Sequence, residues 1–322
     1  MPRSHLSRLA RAVVTAAGLS LAAATPAAAA DKLTVLLDWF VNPDHAPLVV
    51  AQQKGFFADQ GLDVELVAPA DPNDPPKLVA AGRADIAVSY QPQLHLQAAE
   101  GLPLKRFGTL VATPLNSLVT LQDSGIGGLS DLKGKKVGFS VGGFEDALLG
   151  AMLASAGLGL KDVELVNVNF ALSPALLSGQ VDAVIGAFRN FELNQLSIEG
   201  HTGIAFYPEE HGVPTYDELI LIANAERMDD PRLPRFLDAV ERGTHYLLNH
   251  PEESWQLFIK AHPDLDDELN RRAWADTLPR FDLTPAALDS ARYRRFAAFL
   301  EAQGMIPAQT ELSSYAVELP RP

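Results

Sequence analysis

The residues best suited to chemistry form four groups, and each group follows a segment that reads as a β-strand. The first group contains Asp38, Trp39, Phe40, Asn42, Asp44 and His45. In this group Trp39 can stack on a flat ring, while Asp38 and Asn42 hydrogen-bond the rim of that ring. A structural alternative is that Trp39 covers the sheet edge and His45 caps the next helix.

Two further groups contribute an aromatic residue, amides and glycines. The second group is Tyr90, Gln91 and Gln93, and the third is Ser140, Val141, Gly142, Gly143, Phe144 and Glu145. Glycines between a strand and a helix present backbone N–H groups at the positive end of the helix, where an acceptor binds. Because no lysine follows and Glu145 would repel a dianion, the third group predicts a neutral acceptor rather than a phosphate.

The fourth group adds a carboxylate and consists of Phe188, Arg189, Asn190, Phe191, Glu192, Asn194 and Gln195. Glu192 can accept hydrogen bonds from an exocyclic amine and from a protonated ring nitrogen at the same time. Alternatively, Glu192 is a solvated acid in the first turn of a helix, where the helix dipole favours negative charge. Tyr216 is a further candidate for the same site.

Catalytic and metal-binding motifs are scarce. The sequence has no Gly-x-Ser-x-Gly, His-Glu-x-x-His, Walker or calcium-loop pattern. Glu209, Glu210 and His211 are adjacent, but a charged exposed loop explains them more simply than a metal site. The sequence therefore predicts no catalytic residue, no metal and no cofactor.

The composition is that of an acidic globular protein. Of 322 residues, 40 are acidic and 26 are basic, which gives a net charge of −14. Nucleic-acid binding is not expected, because phosphate backbones select basic surfaces. The chain has no cysteine, which excludes disulfides, thiolate metal sites and a lipid-modified N-terminal cysteine.

Residues 1–30 read as a secretory signal peptide. Three arginines precede an apolar run at 12–24, and Ala28, Ala29 and Ala30 give a small-residue cleavage pattern. The apolar run is too short to span a bilayer. We therefore predict cleavage near Ala30 and export without a lipid anchor.

Strands and helices alternate along the next part of the chain. Strands are predicted at 33–37, 64–67, 85–89, 106–111, 137–140 and 164–168. Helices are predicted at 46–60, 76–81, 92–100 and 145–156, and another begins at Pro174. Such alternation indicates βαβ units and an α/β fold, which binds ligands at the carboxyl ends of its strands.

The pattern also indicates two similar lobes followed by a helical region. Residues 78–88 and 176–185 both read as a helix end, a glycine, an aspartate and an apolar strand, and the alternation restarts after Gly134. After Asp230 only helices are predicted, at 231–249, 252–261, 267–276 and 285–303. Their apolar spacing predicts four core aromatic residues, Trp255, Phe258, Trp274 and Phe296.

Several motifs carry a resemblance to a known family. They are Leu36-Leu37-Asp38-Trp39, Lys54-Gly55-Phe56-Phe57, Gly82-Arg83-Ala84-Asp85 and Ser178-Gly179-Gln180-Val181-Asp182. Together with Asn42, His45 and the segment 190–195, they make the chain similar to the periplasmic substrate-binding proteins of ABC importers. More narrowly, it resembles the branch that binds the thiamine pyrimidine precursor. The resemblance covers nearly all of the chain after the signal peptide.

The resemblance implies a type II periplasmic-binding-protein fold, in which each lobe is a mixed, mostly parallel sheet flanked by helices. Lobe one would comprise 31–120 plus 220–322 and lobe two 121–219, with hinges near Thr120 and Leu219. The implied ligand is an aminopyrimidine of the formylaminopyrimidine or hydroxymethylpyrimidine type. A periplasmic monomer would bind it between the lobes and deliver it to a permease and, through the permease, to an ATPase.

The resemblance extends to fungal pyrimidine synthases, but this chain departs from them. Those enzymes have a cofactor-linking lysine just after the third strand and a reactive histidine four residues later. Ser89 and Gln93 occupy these places here, and the synthases' cysteine-rich segment has no counterpart. The resemblance therefore implies binding rather than synthesis.

Three alternatives stay open at the level of sequence. One is a sulfonate or taurine binder of the same fold, for which Arg189 is the cationic candidate. Another is a secreted enzyme, either a pyrimidine-modifying relative or a hydrolase that uses Asp38, His45 and Glu192 as acid and base. The third is a sensor subunit that presents its closed form to a membrane receptor.

Overall fold

The computed structural model of this protein describes residues 29–308 and 311–321. The predicted signal peptide lies outside these residues except for its last two positions. Among the described residues, no helix is long and apolar enough to cross a membrane.

Ten strands in the described chain form two five-stranded sheets. They are β1 (Asp31–Leu36), β2 (Leu62–Val67), β3 (Ile86–Ser89), β4 (Leu104–Val111), β5 (Asn116–Leu121), β6 (Lys136–Phe139), β7 (Glu164–Asn167), β8 (Ala183–Phe188), β9 (Gly203–Phe206) and β10 (Leu219–Asn224). The first sheet has the order β2-β1-β3-β10-β4 and the second has the order β7-β6-β8-β5-β9. The two sheets therefore have the same layout.

Each sheet is mixed. In the first sheet β1 lies parallel to β2 and β3, and in the second β6 lies parallel to β7 and β8. The fourth strand across each sheet is antiparallel to both of its neighbours. This strand is β10 in the first sheet and β5 in the second. The predicted α/β class and the predicted βαβ units are confirmed.

Helices cover both sheets and form most of the region after residue 230. They are α1 (Ala46–Gln53), α2 (Phe56–Asp59), α3 (Pro75–Ala80), α4 (Gln91–Ala99), α5 (Phe144–Ser155), α6 (Leu172–Leu177), α7 (Glu192–Ile198), α8 (Arg232–Asn249), α9 (Pro251–Ala261), α10 (Glu268–Thr277), α11 (Ser290–Ala302) and α12 (Leu312–Tyr315). The four aromatic residues predicted in this region are buried, as expected.

Two predicted helices have different bounds in the structure, each for a local reason. The helix expected at 46–60 is divided into α1 and α2, because Gly55 between them has a φ of 76°. The last long helix begins at Ser290 rather than at 285, because the Asp289 side chain accepts hydrogen bonds from the first backbone N–H groups. The Pro285 carbonyl instead accepts from the Thr109 N–H at 2.8 Å.

Three strands, β5, β9 and β10, were not predicted. In β5 three of the six residues are polar, which hides the apolar pattern of a strand. The structure buries these polar groups with partners on β8: the Ser117 Oγ donates to the Ala187 carbonyl at 2.7 Å, and the Asn116 Oδ1 accepts from the Gly186 N–H at 3.2 Å. Pairing with a distant strand, rather than local pattern, therefore makes this segment a strand.

The chain passes between the two sheets twice. Strands β4 and β5 belong to different sheets, so the first passage lies at residues 112–115, and the second lies at 207–218 between β9 and β10. Thr120, near which the first hinge was predicted, lies inside β5. Leu219 opens β10, close to the predicted second hinge. The division into lobes at these residues stays a prediction.

A buried carboxyl group joins the two passages. One oxygen of Glu218, which is fully buried, accepts from the Leu115 N–H at 2.6 Å and from the Asn116 N–H at 2.9 Å. Its neighbour Asp217 pairs with Arg292 on α11 and exchanges hydrogen bonds with Gln91. Glu218, on the second passage, thus holds the backbone at the end of the first passage in place.

Helix α8 packs tightly against α1 at Gly243. A Cβ atom placed on Gly243 would lie 2.5 Å from the Pro47 carbonyl oxygen, which is closer than such atoms approach in proteins. A backbone atom cannot swing away as the end of a long side chain can. The close contact between these two helices therefore depends on glycine at this position.

We predict that Gly243→Ala destabilises the protein by about 1–3 kcal/mol, because it overpacks this contact. Urea unfolding followed by circular dichroism measures the change. Gly127→Ala is the matched control, because a Cβ there would lie 3.9 Å from its nearest neighbour and strains nothing. Equal stability of the two variants would show that α1 and α8 do not pack as described.

Candidate functional site

The carboxyl ends of β1, β3 and β8 meet at a cleft. Residues from both sheets and from the first turns of α5, α6 and α7 line it. They are Asp38, Trp39, Asn42, Asp44, Tyr90, Glu145, Leu172, Gly186, Phe188, Phe191 and Glu192. Each of the four predicted groups therefore contributes to the lining, and the third group contributes only Glu145.

Asp38 is the centre of a buried hydrogen-bonded trio. The Tyr90 hydroxyl donates to its Oδ2 at 2.8 Å, and the His45 Nε2 lies 2.9 Å from its Oδ1. The Asn42 N–H donates to the His45 Nδ1 at 3.3 Å, so we assign the imidazole proton to Nε2, which donates to Asp38. Burial raises the pKa of Tyr90 well above its ordinary value, with a further contribution from the Asp38 charge, so Tyr90 stays a donor.

The loop after β1 has its shape because Asn42 caps the short turn that follows it. The Asn42 Oδ1 accepts from the Asp44 N–H at 2.8 Å, and its Nδ2 donates to the Phe40 carbonyl at 3.1 Å. Asn42 lines the cleft as predicted, but its polar atoms are used within the loop. Its role is to position the loop.

Asp44 connects three parts of the chain. Its Oδ1 accepts from the Asn190 Nδ2 at 2.7 Å and from the Thr277 hydroxyl at 3.0 Å. Burial raises the pKa of Asp44 to about 6, while neighbouring His45 acts in the opposite direction. The contact joins the loop after β1 to the segment after β8 and to α10, so it holds the two sheets together beside the cleft.

Glu145 enters the cleft from the first turn of α5. Its Oε2 accepts from the Ser140 N–H at 2.8 Å. A Cβ on Gly186 would lie 2.4 Å from the Glu145 Oε1, and Gly186 has a φ of 96°. Glycine in the middle of β8 therefore makes the space that the Glu145 carboxyl group occupies. Burial raises the pKa of Glu145 to about 8.

Glu192 is held in a similar way on the neighbouring strand end. It is the first residue of α7, and its Oε2 accepts from the Phe188 N–H at 2.6 Å. Burial raises the pKa of Glu192 to about 7. The group is only 9% exposed, so it is not a solvated helix-start acid. The interpretation of Glu192 as a solvated acid in a first helical turn is therefore wrong.

The cleft is therefore acidic and has no basic residue in its lining. Asp38, Asp44, Glu145 and Glu192 all line it, and none of the eleven lining residues is lysine, arginine or histidine. Ionising several close carboxyl groups away from water is unfavourable. A ligand with hydrogen-bond donors or positive charge relieves this cost, and an anion increases it.

Four aromatic rings complete the lining: Trp39, Tyr90, Phe188 and Phe191. The ring of Tyr90 stacks on Phe144 with centroids 4.7 Å apart and meets Phe188 edge-on at 6.4 Å. Trp39 packs edge-on against Phe170 at 4.6 Å. A lining of aromatic rings and carboxyl groups suits a flat, polar, electron-poor ligand.

The structure places eight of the predicted site residues outside the cleft lining. His45 supports Asp38, Asn190 binds Asp44, and Ser140 binds Glu145. Gln91 bonds to the backbone of Asp217, and Tyr216 packs against Phe296. The other three line a neighbouring cavity that contains Lys77, and they are Gly142, Gly143 and Phe144.

The predicted site omitted five lining residues: Asp44, Glu145, Leu172, Gly186 and Phe191. Asp44, Glu145 and Phe191 belong to the first, third and fourth polar groups but were given no role in binding, and Glu145 was interpreted only as a repulsive charge. Gly186 interrupts an apolar strand, which is a known sign of a close approach.

Arg189, the cationic candidate, does not line the cleft. Its guanidinium pairs with Glu209 through two contacts of 2.7 and 3.1 Å and lies over the Tyr207 ring. In the part of the chain that the structure describes, no group of three or more His, Asp or Glu residues is arranged to hold a metal ion. The candidate metal cluster at 209–211 therefore has no support.

Comparison with known proteins identifies close relatives. A family model described as "NMT1/THI5 like" matches residues 42–254. A Haemophilus influenzae protein named "Putative thiamine biosynthesis protein" is 58% identical over 91% of this chain and 94% of its own. The formylaminopyrimidine-binding protein of Halalkalibacterium halodurans is 35% identical over 72% of this chain and 71% of its own.

Other relatives carry an enzyme's name. One from Legionella pneumophila, named 4-amino-5-hydroxymethyl-2-methylpyrimidine phosphate synthase, is 30% identical over 80% of this chain and 82% of its own. Among solved structures, the alkanesulfonate-binding protein SsuA of Xanthomonas axonopodis pv. citri superposes with a TM-score of 0.72 at 18% identity, covering 90% of this chain and 99% of that one. This likeness confirms the predicted periplasmic-binding-protein fold.

Glu145 gives a prediction about stability and pH. Its pKa in the folded protein, about 8, lies above the ordinary 4.5, so the folded state binds more protons between these values and stability falls as pH rises through this window. Glu145→Gln removes this titration. One pKa unit corresponds to about 1.4 kcal/mol, so we expect the loss of unfolding free energy between pH 5 and pH 8 to shrink by at least that amount.

Urea unfolding of the unliganded protein at several pH values measures this loss. Glu210→Gln, on an exposed loop, removes the same charge and is expected to keep the parent's pH dependence. Identical curves for the parent and Glu145→Gln would contradict the buried position of this carboxyl group.

Proposed function

Because the chain belongs to the NMT1/THI5-like family, we propose that it binds an aminopyrimidine thiamine precursor in the acidic cleft. The ligand is of the formylaminopyrimidine or hydroxymethylpyrimidine type, which agrees with the name of the Halalkalibacterium relative. The protein then delivers it to the permease of an ABC importer and, through the permease, to the ATPase.

One observation supports this ligand above all others: the cleft is lined by four carboxyl groups and four aromatic rings. An aminopyrimidine offers an exocyclic amine as donor and ring nitrogens that take up a proton beside a carboxylate. Glu192 and Asp38 are the acceptors for these groups. Trp39, Phe188 and Phe191 enclose the flat ring.

The same observation weighs against a sulfonate ligand. A sulfonate is an anion at every physiological pH, and a carboxylate-lined cleft without a cation repels it. Arg189 is already paired with Glu209, away from the lining. The likeness to the alkanesulfonate-binding protein extends to the fold and not to the charge expected of its site.

We propose that the protein does not catalyse a reaction on this ligand. At the positions of the synthases' lysine and histidine, the Ser89 hydroxyl donates to the Gln93 Oε1 at 3.0 Å, and both residues are buried. Neither side chain supplies an amine or a titratable group. His45, the other candidate base, is fully buried behind Asp38 and does not line the cleft.

Closure of two lobes on the ligand is part of the proposal. The lobes predicted as 31–120 plus 220–322 and 121–219 meet, in this proposal, at the chain passages: because β5 belongs to the second sheet, the first hinge lies at 112–115 and residues 116–120 belong to lobe two. Contacts between lobes flank the cleft: Asp44 with Asn190, and Asn73 with the Gly142 N–H at 3.1 Å. A ligand that contacts both lobes favours this closed arrangement.

The location follows from the proposed signal peptide at 1–30. We propose export to the periplasm, removal of this segment near Ala30 and a monomer without a lipid anchor. A sensor subunit would bind the same ligand. The neighbouring genes separate the two roles, because a permease and an ATPase beside this gene support import.

Titration calorimetry tests the ligand. We expect formylaminopyrimidine or its hydroxymethyl counterpart to bind the parent, and Glu192→Gln to weaken that binding at least tenfold, since it replaces an acceptor oxygen with an amide NH₂ group that cannot accept from the ligand's donors. Glu210→Gln is the control and is expected to bind like the parent. Binding of taurine or an alkanesulfonate, with no binding of either pyrimidine, would overturn the ligand assignment.

Mass spectrometry tests the absence of catalysis. Incubation of the protein with the bound pyrimidine, with and without pyridoxal phosphate, should return the ligand unchanged. A product that forms in proportion to protein concentration, and that disappears in Asp38→Asn, would show that the protein is an enzyme.

A further inference from the structure

A second chamber lies directly beside the cleft. It shares five lining residues with the cleft, namely Trp39, Asn42, Leu172, Phe191 and Glu192. The two spaces are therefore adjacent, and a ligand that occupies both must pass between these shared side chains.

The outer wall of the chamber is aromatic. The ring of Phe170 lies 4.3 Å from that of Phe40 and 4.6 Å from that of Trp39, measured between centroids. Phe170 follows Asn169, the one non-glycine residue with a positive φ in the described chain, whose carbonyl accepts from the Ser140 hydroxyl. The three rings come from both lobes, so this wall is complete only when the lobes are together.

The inner wall carries polar groups that lack partners. The Ser173 Oγ and the Asn270 Oδ1 are buried and have no hydrogen-bond partner among the described residues. Both side chains line the chamber and are less than 5% exposed. An unpaired buried polar group costs about 1–3 kcal/mol, so these two oxygens favour a ligand that donates to them.

The chamber, like the cleft, has no lysine, arginine or histidine in its lining, and Glu192 adds negative charge. A phosphate or carboxylate group therefore has no counter-charge there. An uncharged, flat group with an N–H or O–H donor matches both the rings and the unpaired oxygens.

We propose that the chamber binds a substituent carried by the pyrimidine ring, so that the protein accepts two-ring ligands and not only the small precursor. This inference rests on the proposed function, because the pyrimidine itself must occupy the cleft. An amide N–H in the linker donates to Ser173 or Asn270, and a second ring packs against Phe40 and Phe170. An anionic substituent is rejected.

Calorimetry with a matched ligand pair tests the proposal. The probes are 4-amino-2-methylpyrimidines that carry a formamidomethyl or a benzamidomethyl group at ring position 5. We expect the parent to bind the benzamide at least as tightly as the formamide. A carboxylate on the second ring is expected to weaken binding at least tenfold.

Two variants locate the second ring. Gln195 lines the chamber but not the cleft, so Gln195→Trp fills the chamber and should weaken benzamide binding at least tenfold and formamide binding less than twofold. Gln180→Trp, on an exposed turn, is the matched control and should change neither. Ser173→Ala is a smaller change and should weaken benzamide binding about threefold, and because it removes an unpaired buried hydroxyl it should not lower the thermal midpoint.

The outcomes separate this inference from the proposed function. Binding of the formamide without the benzamide overturns the chamber and leaves the function standing. Failure of both pyrimidines to bind overturns both. Equal weakening of the two ligands by Gln195→Trp, with an unchanged thermal midpoint, also overturns the chamber, because the substitution would then act through the cleft.

Discussion

Four carboxyl groups are buried around one cleft without a cationic side chain in its lining, and the rest of the site depends on this constraint. Burial of an ionised carboxylate is costly unless donors satisfy it. Each of the four accordingly has fixed donors: Tyr90 and His45 for Asp38, Asn190 and Thr277 for Asp44, and the backbone N–H groups of Ser140 and Phe188 for the two glutamates. These donors hold the carboxyl groups but leave the cleft acidic, which is why a donor-rich ligand fits it.

The fold supplies this arrangement through two sheets of the same layout. Their carboxyl-terminal strand ends supply most of the cleft, and helix starts at α5 and α7 place Glu145 and Glu192 against the ends of β6 and β8. The glycine at 186 makes room for one carboxyl group. Glu218 ties the two chain passages together through the backbone N–H groups of Leu115 and Asn116.

The local sequence pattern predicted much of the fold and of the site, and the features that the pattern missed depend on pairing between distant residues. Apolar periodicity gave the parallel strands, and the rule that ligands bind at strand ends predicted Asp38, Trp39, Tyr90, Phe188 and Glu192 in one cleft. The local pattern could not show that Gln91 bonds to Asp217, which lies 126 positions later. The strand β5 was missed because its polar residues Asn116 and Ser117 bond to the backbone of the distant strand β8. Glu145 was interpreted only as a charge that repels a dianion, since burial is a property of the folded chain.

The central claim is that the acidic cleft recognises the donors of an aminopyrimidine, and a crystal structure of the complex tests it most directly. The account predicts the pyrimidine ring between Trp39 and the β8 end, with its amine and a ring nitrogen about 2.7–3.2 Å from carboxyl oxygens of Glu192 or Asp38. A ring bound elsewhere, or bound in the cleft with no carboxyl group of the lining within hydrogen-bonding distance, would contradict it.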